Sequence, residues 1–252
     1  MSLVSVIIPY FKKKKFIFKC INSILNQTYQ NFEIIIVNDE LSVESKLILK
    51  NILIKDSRIK IINNKKNLGP GLSRNVAIKK SKGKFLAFLD ADDEWNRNKL
   101  KFQVNIMKKK KLFFSHTSYL IIDDKNRLIG KFRAKNFLYY KNLINSCDIG
   151  LSTVILSSRI KKDVNFCNLK TKEDYVLWLK LSKKYNIYGI DKFYTKWRNL
   201  NNSTSSFLYR KVVDAFCVYY FFEKFSLIKS ILLVVNLIFF SIKKKFNQYI
   251  FK

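Results

Sequence analysis

Short apolar runs that alternate with helix-spaced segments constrain this chain more than any other feature in it. Val4 to Ile8 (VSVII), Glu33 to Val37 (EIIIV), Ile59 to Ile62 and Phe85 to Leu89 (FLAFL) are each too brief for an ordinary helix and read as buried strands. Pro9 is expected to end the first of them. Between the strands, Phe16 to Gln27 carries Ile17, Cys20, Ile21, Ile24 and Leu25 at helical intervals. Ser42 offers a cap for a second helix with Leu47, Ile48, Ile52 and Leu53 on one face, and the turn Asn67 to Gly71 (NLGPG) feeds a third, from Leu72 to Ser81. This alternation predicts an α/β fold with a parallel sheet joined by right-handed crossovers.

Parallel strands put their carboxyl ends on one edge, and open α/β sheets bind ligands beyond that edge. Three of the runs end there in polar groups: Pro9 and Tyr10, Asn38 and Asp39, Asp90 and Asp92. The fourth strand stops abruptly at Asp90, Asp92 and Asp93. Carboxylates gathered so closely repel one another, and a hard divalent cation with oxygen ligands relieves the repulsion. Aspartate is also common in turns for structural reasons, so the case for a site rests on the convergence of the three strand ends.

Beyond Trp95 the pattern loosens. Asn98 to Lys111 reads as a helix with a basic outer face and Leu112 to His116 as a strand, while Tyr119 to Asp124 and Arg127 to Phe132 form a hairpin turning at Asp123 to Asn126. Thr153 to Ser157 is another strand. Glu173 to Tyr185 (EDYVLWLKLSKKY) is a helix with an acidic start and a lysine-rich end, as its dipole favours, and Asp174, Trp178 and Leu181 share a face. From Ser206 the composition changes. Phe207 to Phe225 is aromatic, and Ser230 to Ile242 (SILLVVNLIFFSI) is an apolar run followed by Lys243, Lys244 and Lys245. At ~1.5 Å per residue that run reaches roughly 20 Å, short of a hydrocarbon core of ~30 Å, so it is expected to lie on a membrane and not to cross it. A helix packed on its own domain is the competing reading. The chain accordingly divides into a domain at 1–205 and a helical, membrane-peripheral segment at 206–252.

A net charge of +31, from 49 Lys and Arg against 18 Asp and Glu, favours polyanionic partners such as anionic lipid or phosphorylated small molecules. A general bias toward Lys, Ile, Asn and Phe is the plainer source of that excess. No zinc-finger spacing, helix-turn-helix pattern or RNA-recognition motif is present, so nucleic acid is not expected. Cys20, Cys147, Cys167 and Cys217 are scattered without metal-ligand spacing, which suits a reduced, cytosolic protein, and no secretory signal is visible. His116, the single histidine, is expected to be neutral and structural.

Taken in order, VSVIIPYFK (Val4 to Lys12), ILNQTYQNFEIIIVND (Ile24 to Asp39), NLGPGLSRN (Asn67 to Asn75), GKFLAFLDADDEW (Gly83 to Trp95) and KEDYVLWLKL (Lys172 to Leu181) resemble the inverting family-2 glycosyltransferases of bacteria. The resemblance spans residues 3–200 and implies the GT-A fold, a Rossmann-like, mostly parallel central sheet flanked by helices. It implies transfer of a sugar from a nucleoside-diphosphate donor, UDP-linked, to a hydroxyl of a glycan or lipid-linked acceptor, in surface polysaccharide, capsule or lipopolysaccharide synthesis. It also implies Mn²⁺ or Mg²⁺ as cofactor and a place at the cytoplasmic face of the membrane, on an anionic membrane surface. Position by position, Pro9 and Tyr10 match the strand end that holds the nucleotide base, and Asp39 matches the carboxylate that bonds it. Arg74 matches a residue of the nucleotide site. Asp90 matches the ribose side of the Asp-x-Asp pair and Asp92 its metal ligand, while Asp174 matches the general base, with Glu173 beside it. One departure stands out: Glu40 replaces the glycine usual in Asp-Gly-Ser, and a positive φ is expensive for glutamate. An altered loop, or a catalytically impaired protein that only binds a nucleotide sugar or glycan, is therefore the alternative. A sugar-phosphate nucleotidyltransferase is disfavoured because Pro9 to Lys15 lacks glycine.

Overall fold

The computed structural model describes residues 1–200 and 208–248, so the expected division at 205/206, with Ser206 and Phe207, lies outside the described residues; of Lys244 and Lys245 only the helical backbone is described. The chain runs β1 (Val4–Tyr10), α1 (Ile17–Leu25), β2 (Phe32–Asn38), α2 (Val43–Leu53), β3 (Ile59–Asn63), α3 (Pro70–Lys80), β4 (Phe85–Phe88), β5 (Glu94–Trp95), α4 (Lys99–Lys109) and β6 (Phe114–Ile122). It continues through β7 (Leu128–Phe132), β8 (Phe137–Leu138), α5 (Tyr140–Leu143), β9 (Ile155–Ser157), α6 (Glu173–Ser182) and β10 (Ile187–Arg198). α7 (Leu208–Cys217), one stretch of π-helix (Val218–Phe222) and α8 (Leu227–Gln248) follow.

One sheet holds these strands in the order β3-β2-β1-β4-β9-β6-β10-β5, with β7 beside β6 and β8 beside β10. β1, β2, β3 and β4 are mutually parallel, and β9 runs antiparallel to both β4 and β6. β6 therefore points the same way as β4, and so does β10, its parallel neighbour. The carboxyl ends of β1, β2, β4 and β10 thus meet on one edge. The strands are legible because both faces are covered: every residue of β2 and β4 is buried, giving unbroken apolar runs and not alternation.

Several expectations are corrected. β1 runs through Pro9 to Tyr10, because β4 has ended where Pro9 faces its side of β1, so the missing N–H removes no ladder bond. The segments 112–116 and 119–124 are one strand, β6; its polar middle, Ser115 to Ser118, is buried and paired with β10 and does not break it. His116 lies there, buried. α2 turns Ser45, Leu49 and Ile52 inward and leaves Leu47 and Leu53 exposed, since Ser45 is tied to the Asn38 side chain and the Glu40 carbonyl. Ser42 does cap that helix, accepting the Ser45 amide at 3.1 Å. Glu40 is not in the left-handed region. Lys12 takes it instead (φ 52°), and the Glu40 carboxylate accepts the Lys12 amide at 2.9 Å, so the substituted side chain braces the neighbouring loop.

At the carboxyl end, Ala215, Val218, Tyr219, Val234 and Leu237 belong to the same buried cluster as Leu86, Phe88 and Trp178. These helices are packed into the sheet domain on one side. No helix among the described residues is long and apolar enough to cross a membrane.

Candidate active site

A cavity of about 640 Å³ opens on the carboxyl edge of the sheet, and Pro9, Tyr10, Asp39, Arg74, Asp90, Asp92, Glu173 and Asp174 all line it. Eight residues from across 166 positions of chain (9 to 174) are brought to one place by the strand ends and by the starts of α3 and α6.

Arg74 is the hub. It is buried, donating from Nη2 to Asp90 at 2.7 Å and from Nη1 to Glu173 at 2.7 Å, and its guanidinium lies 5.3 Å from the Phe166 ring. A planar fork with two donors aimed apart suits this bridging role. Gly71, one turn earlier on α3, permits the approach: a Cβ there would meet the Cys167 carbonyl at 2.7 Å and Glu173 Cγ at 2.9 Å. Arg74 thus joins Asp90, at the end of β4, to the start of α6.

The two carboxylates left toward the cavity differ from each other. Asp92 meets the Lys13 ammonium at 2.6 Å, and burial pushes its pKa up against the pull of that cation. Asp174 accepts the amide of Tyr175 at 2.7 Å, and burial pushes its pKa up against the pull of Arg74 and Lys172. Beside it, Glu173 is pushed up to about 7 by burial, with Arg74 opposing and Asp174 reinforcing the shift. Lys172, just before this pair, holds a left-handed backbone (φ 67°), a strain of order 1–3 kcal/mol that surroundings must enforce.

The remaining predicted residues are engaged as follows. Asp39 is buried and accepts Asn64 Nδ2 and the Leu68 amide on Oδ1, both at 2.7 Å, and the Gly69 amide on Oδ2 at 2.8 Å. It fixes the turn from which α3 starts. Tyr10 is buried with its phenol pushed up to about 12, chiefly by burial, so it stays neutral. Asp93, the third strand-end acid, turns away from the cavity: it accepts the Arg198 amide at 2.7 Å and the Ser152 hydroxyl at 2.5 Å. Sequence reasoning gave no role to Lys13, Arg198 or Arg210, all of which line the cavity. Arg198, its side chain fully buried, binds the Asp92 carbonyl, the Asp123 carbonyl and the Glu94 carboxylate, and so frames the acidic loop. It ends β10, a strand whose mixed charges and two register shifts hide it from pattern reading.

A divalent cation fits this arrangement. Cations of the magnesium type are held by one or two carboxylates together with phosphate oxygens of the substrate, not by an all-protein cage. Asp92 and Asp90 supply hard oxygen donors on the cavity wall, and the Lys13 ammonium already stands where positive charge is wanted.

Comparison with known proteins identifies the family and the fold. A sequence model of the family described as Glycosyl transferase family 2 matches residues 5–166. The chain is 37% identical over 206 residues to the Escherichia coli protein named UDP-Glc:α-D-GlcNAc-diphosphoundecaprenol β-1,3-glucosyltransferase WfgD, covering 81% of this chain and 80% of that one. It is 36% identical over 205 residues to a longer uncharacterized glycosyltransferase of Rickettsia bellii, covering 80% of this chain but only 29% of that protein. Among solved structures, S. aureus TarS 1–349 in complex with UDP-GlcNAc superposes with a TM-score of 0.71 at 24% identity, over 88% of this chain and 65% of that one, which identifies the fold.

Proposed function

This chain belongs to glycosyl transferase family 2 and is a glycosyltransferase of GT-A fold, and from that premise we propose that it moves a sugar from a nucleoside-diphosphate donor to a hydroxyl of a lipid-linked glycan acceptor with inversion. The observation that carries the reading is the placement of two carboxylates on the wall of a single cavity, Asp92 beyond β4 and Asp174 at the start of α6. Asp174 is the proposed base. Its carboxylate lies at the cavity wall without a side-chain cation at ion-pair distance among the described residues, so it is available to take the acceptor proton as the hydroxyl attacks. Glu173, held by Arg74, orients the start of the helix. Pro9, Tyr10 and the turn fixed by Asp39 form the wall assigned to the nucleotide, and Arg74 keeps Asp90 in place on the ribose side. Asp92, supported by Asp90, is assigned to a Mn²⁺ or Mg²⁺, which when bound supplies charge neutralisation to the departing diphosphate. Lys13 and Arg210 add positive charge around the same leaving group. The likeness to WfgD supports a UDP-glucose donor and a diphosphate-linked lipid acceptor.

We assign an anionic membrane surface as the place of action. Ile228, Leu232, Val235, Phe239 and Ile242 form one stripe along α8 and are 51–74% exposed, while Ser230, Val234 and Leu237 on the opposite side are buried. Lys229 and Lys243 flank the stripe at the two ends, as an interfacial helix on anionic lipid requires. Free cysteines suit the reducing, cytoplasmic side.

One experiment tests the reaction: the full chain is incubated with UDP-glucose, Mn²⁺ and a synthetic GlcNAc-diphospholipid, and the product is read by NMR. A β-linked product that disappears in chelator is expected, and an α-linked product would overturn the inverting assignment. Sedimentation with anionic but not zwitterionic vesicles is expected at low salt; indifference to both would assign the α8 stripe to another partner.

A further inference from the structure

The approach to Asp174 is held by a part of the chain remote from it in sequence. Thr171 lines the cavity three residues before Asp174, and Lys172 between them carries the left-handed backbone. On the outside of that bend stands Asp214 of α7, buried. Its Oδ2 accepts the Thr171 amide at 2.8 Å and the Thr171 hydroxyl at 2.7 Å. A carboxylate placed among apolar neighbours is unfavourable unless hydrogen-bonded, and bonds to an ionised acceptor are short and directional. Packing alone would be met by an apolar side chain, whereas two charge-assisted bonds to one residue fix where that residue sits.

The same helical unit grips the catalytic helix twice more. The Tyr219 hydroxyl lies 3.1 Å from that of Tyr175, the residue after Asp174, and donates to the Ile144 carbonyl at 2.8 Å. Lys183, just past the end of α6, donates to Glu223 at 2.6 Å. The start, first turn and end of α6 are therefore all referenced to the segment 214–223.

We propose that Asp214 is a positioning residue for sugar transfer: it fixes the bend at Thr171 and Lys172 and thereby the direction in which Asp174 leaves the start of α6. The proposal rests on Asp174 as the base. It makes α7 part of the transfer apparatus, in addition to any role of the carboxyl-terminal helices at a membrane. A misplacement of about 1 Å at a reacting group is enough to lower a rate by ~10²-fold, so a lost brace acts on kcat before it acts on donor binding.

The test uses the full chain and three variants beside Asp174→Asn, with UDP-sugar affinity, kcat, KM and thermal midpoint measured for each. Asp174→Asn is expected to lose about 10²-fold or more in kcat. Asp214→Ala is expected to lose about tenfold or more in kcat with donor affinity within about twofold of wild type. Asp214→Asn, whose amide oxygen accepts the same two bonds, is expected to recover most of that loss, and Thr171→Val, which removes one bond, to fall between. If Asp174→Asn turns over normally, the base assignment fails and this inference with it. If Asp174→Asn is crippled but Asp214→Ala is not, only the inference is overturned. Parallel losses of kcat, donor affinity and midpoint in both Asp214 variants would show a merely structural acid and overturn it as well. Should Asp214→Ala not be recovered folded, Thr171→Val decides: lower kcat at unchanged donor affinity supports the brace, and unchanged kcat overturns it.

Discussion

Beyond β4 and at the start of α6 the cavity is met by carboxylates arranged to the same plan. At each end one acid, Asp90 or Glu173, is held by Arg74 at 2.7 Å, and the other, Asp92 or Asp174, is left toward the cavity. The difference lies in what faces the open acid. Asp92 has an ammonium at 2.6 Å, whereas Asp174 accepts only the amide of its own helix among the contacts described. An acid already paired with a cation is suited to exchange that cation for another. An acid raised by burial and left without one is suited to take a proton. Under the proposed assignment, two acid pairs of similar composition would be separated by their surroundings into an electrostatic end and a proton-accepting end.

The severest way to break the comparison is Arg74→Met, which removes the cation common to both ends. Breaking a buried ion pair from one side costs about 3–5 kcal/mol, and the partial exposure of Asp90 places this case near the lower figure, with Glu173 bearing most of it. Turnover should fall below detection at the same time. The pH dependence has a definite sign. Glu173 has its folded pKa raised to about 7, so its contribution to stability is complete below the ordinary glutamate value and is lost as pH rises through about 7. Without Arg74 the folded pKa rises further, so the variant should be closest to wild type near pH 5 and most destabilised near pH 8. Thermal midpoints across that range check it, and a deficit independent of pH would mean that Arg74 stabilises by packing alone.

Next in size is the contrast between two adjacent aspartates. Asp92→Asn should weaken Mn²⁺-dependent binding of a UDP-sugar by about tenfold or more while leaving the thermal midpoint nearly unchanged, because losing one charge-assisted contact is worth ~1.5–3 kcal/mol. Asp93→Asn should do the reverse, lowering stability through the Arg198 and Ser152 bonds with little direct effect on the cation. Calorimetry with and without chelator separates them. Equal behaviour of the two variants would show that the acidic loop acts as one cluster and not as a ligand beside a strut.

Only one side of that contrast could be read from the letters, and the reason is general to this molecule. The amino-terminal half was legible because its strands are short and parallel and three of the four are almost wholly buried, so apolar runs gave β1 to β4 and their ends gave Tyr10, Asp39, Asp90 and Asp92. The resemblance singled out Asp92 as the second acid of Asp-x-Asp and left Asp93 without a role; that Asp93 is a strut follows only from Ser152 and Arg198, which the fold brings to it. Both partners come from the half that was less legible. β6 hides a buried polar middle, β10 carries bulges and mixed charge, and α8 has apolar residues on its buried and its exposed sides alike. The strain expected at Glu40 is absent: its φ is not positive, and its carboxylate accepts the amide of Lys12, whose own positive φ no glycine marks.

The smallest expected effect is the sharpest probe of the electrostatic end. Lys13 and Asp92 are both partly exposed, at 25% and 15%, so their pairing is worth about 0.2–1 kcal/mol and not the several of a fully buried bridge. A cation entering at Asp92 must displace that ammonium. Lys13→Gln should therefore tighten binding of Mn²⁺ in the absence of donor, by about two- to fivefold, as read by the loss of the free-ion signal in an electron paramagnetic resonance titration. With the UDP-sugar present the sign should reverse, because Lys13 is then released to the diphosphate and its charge is missed there. The pH limb of turnover governed by Asp174, at the other end of the cavity, should stay where it is. A variant that binds Mn²⁺ more weakly with and without donor would mean that Lys13 holds Asp92 in place for the cation, and the two ends would then differ by less than their contacts suggest.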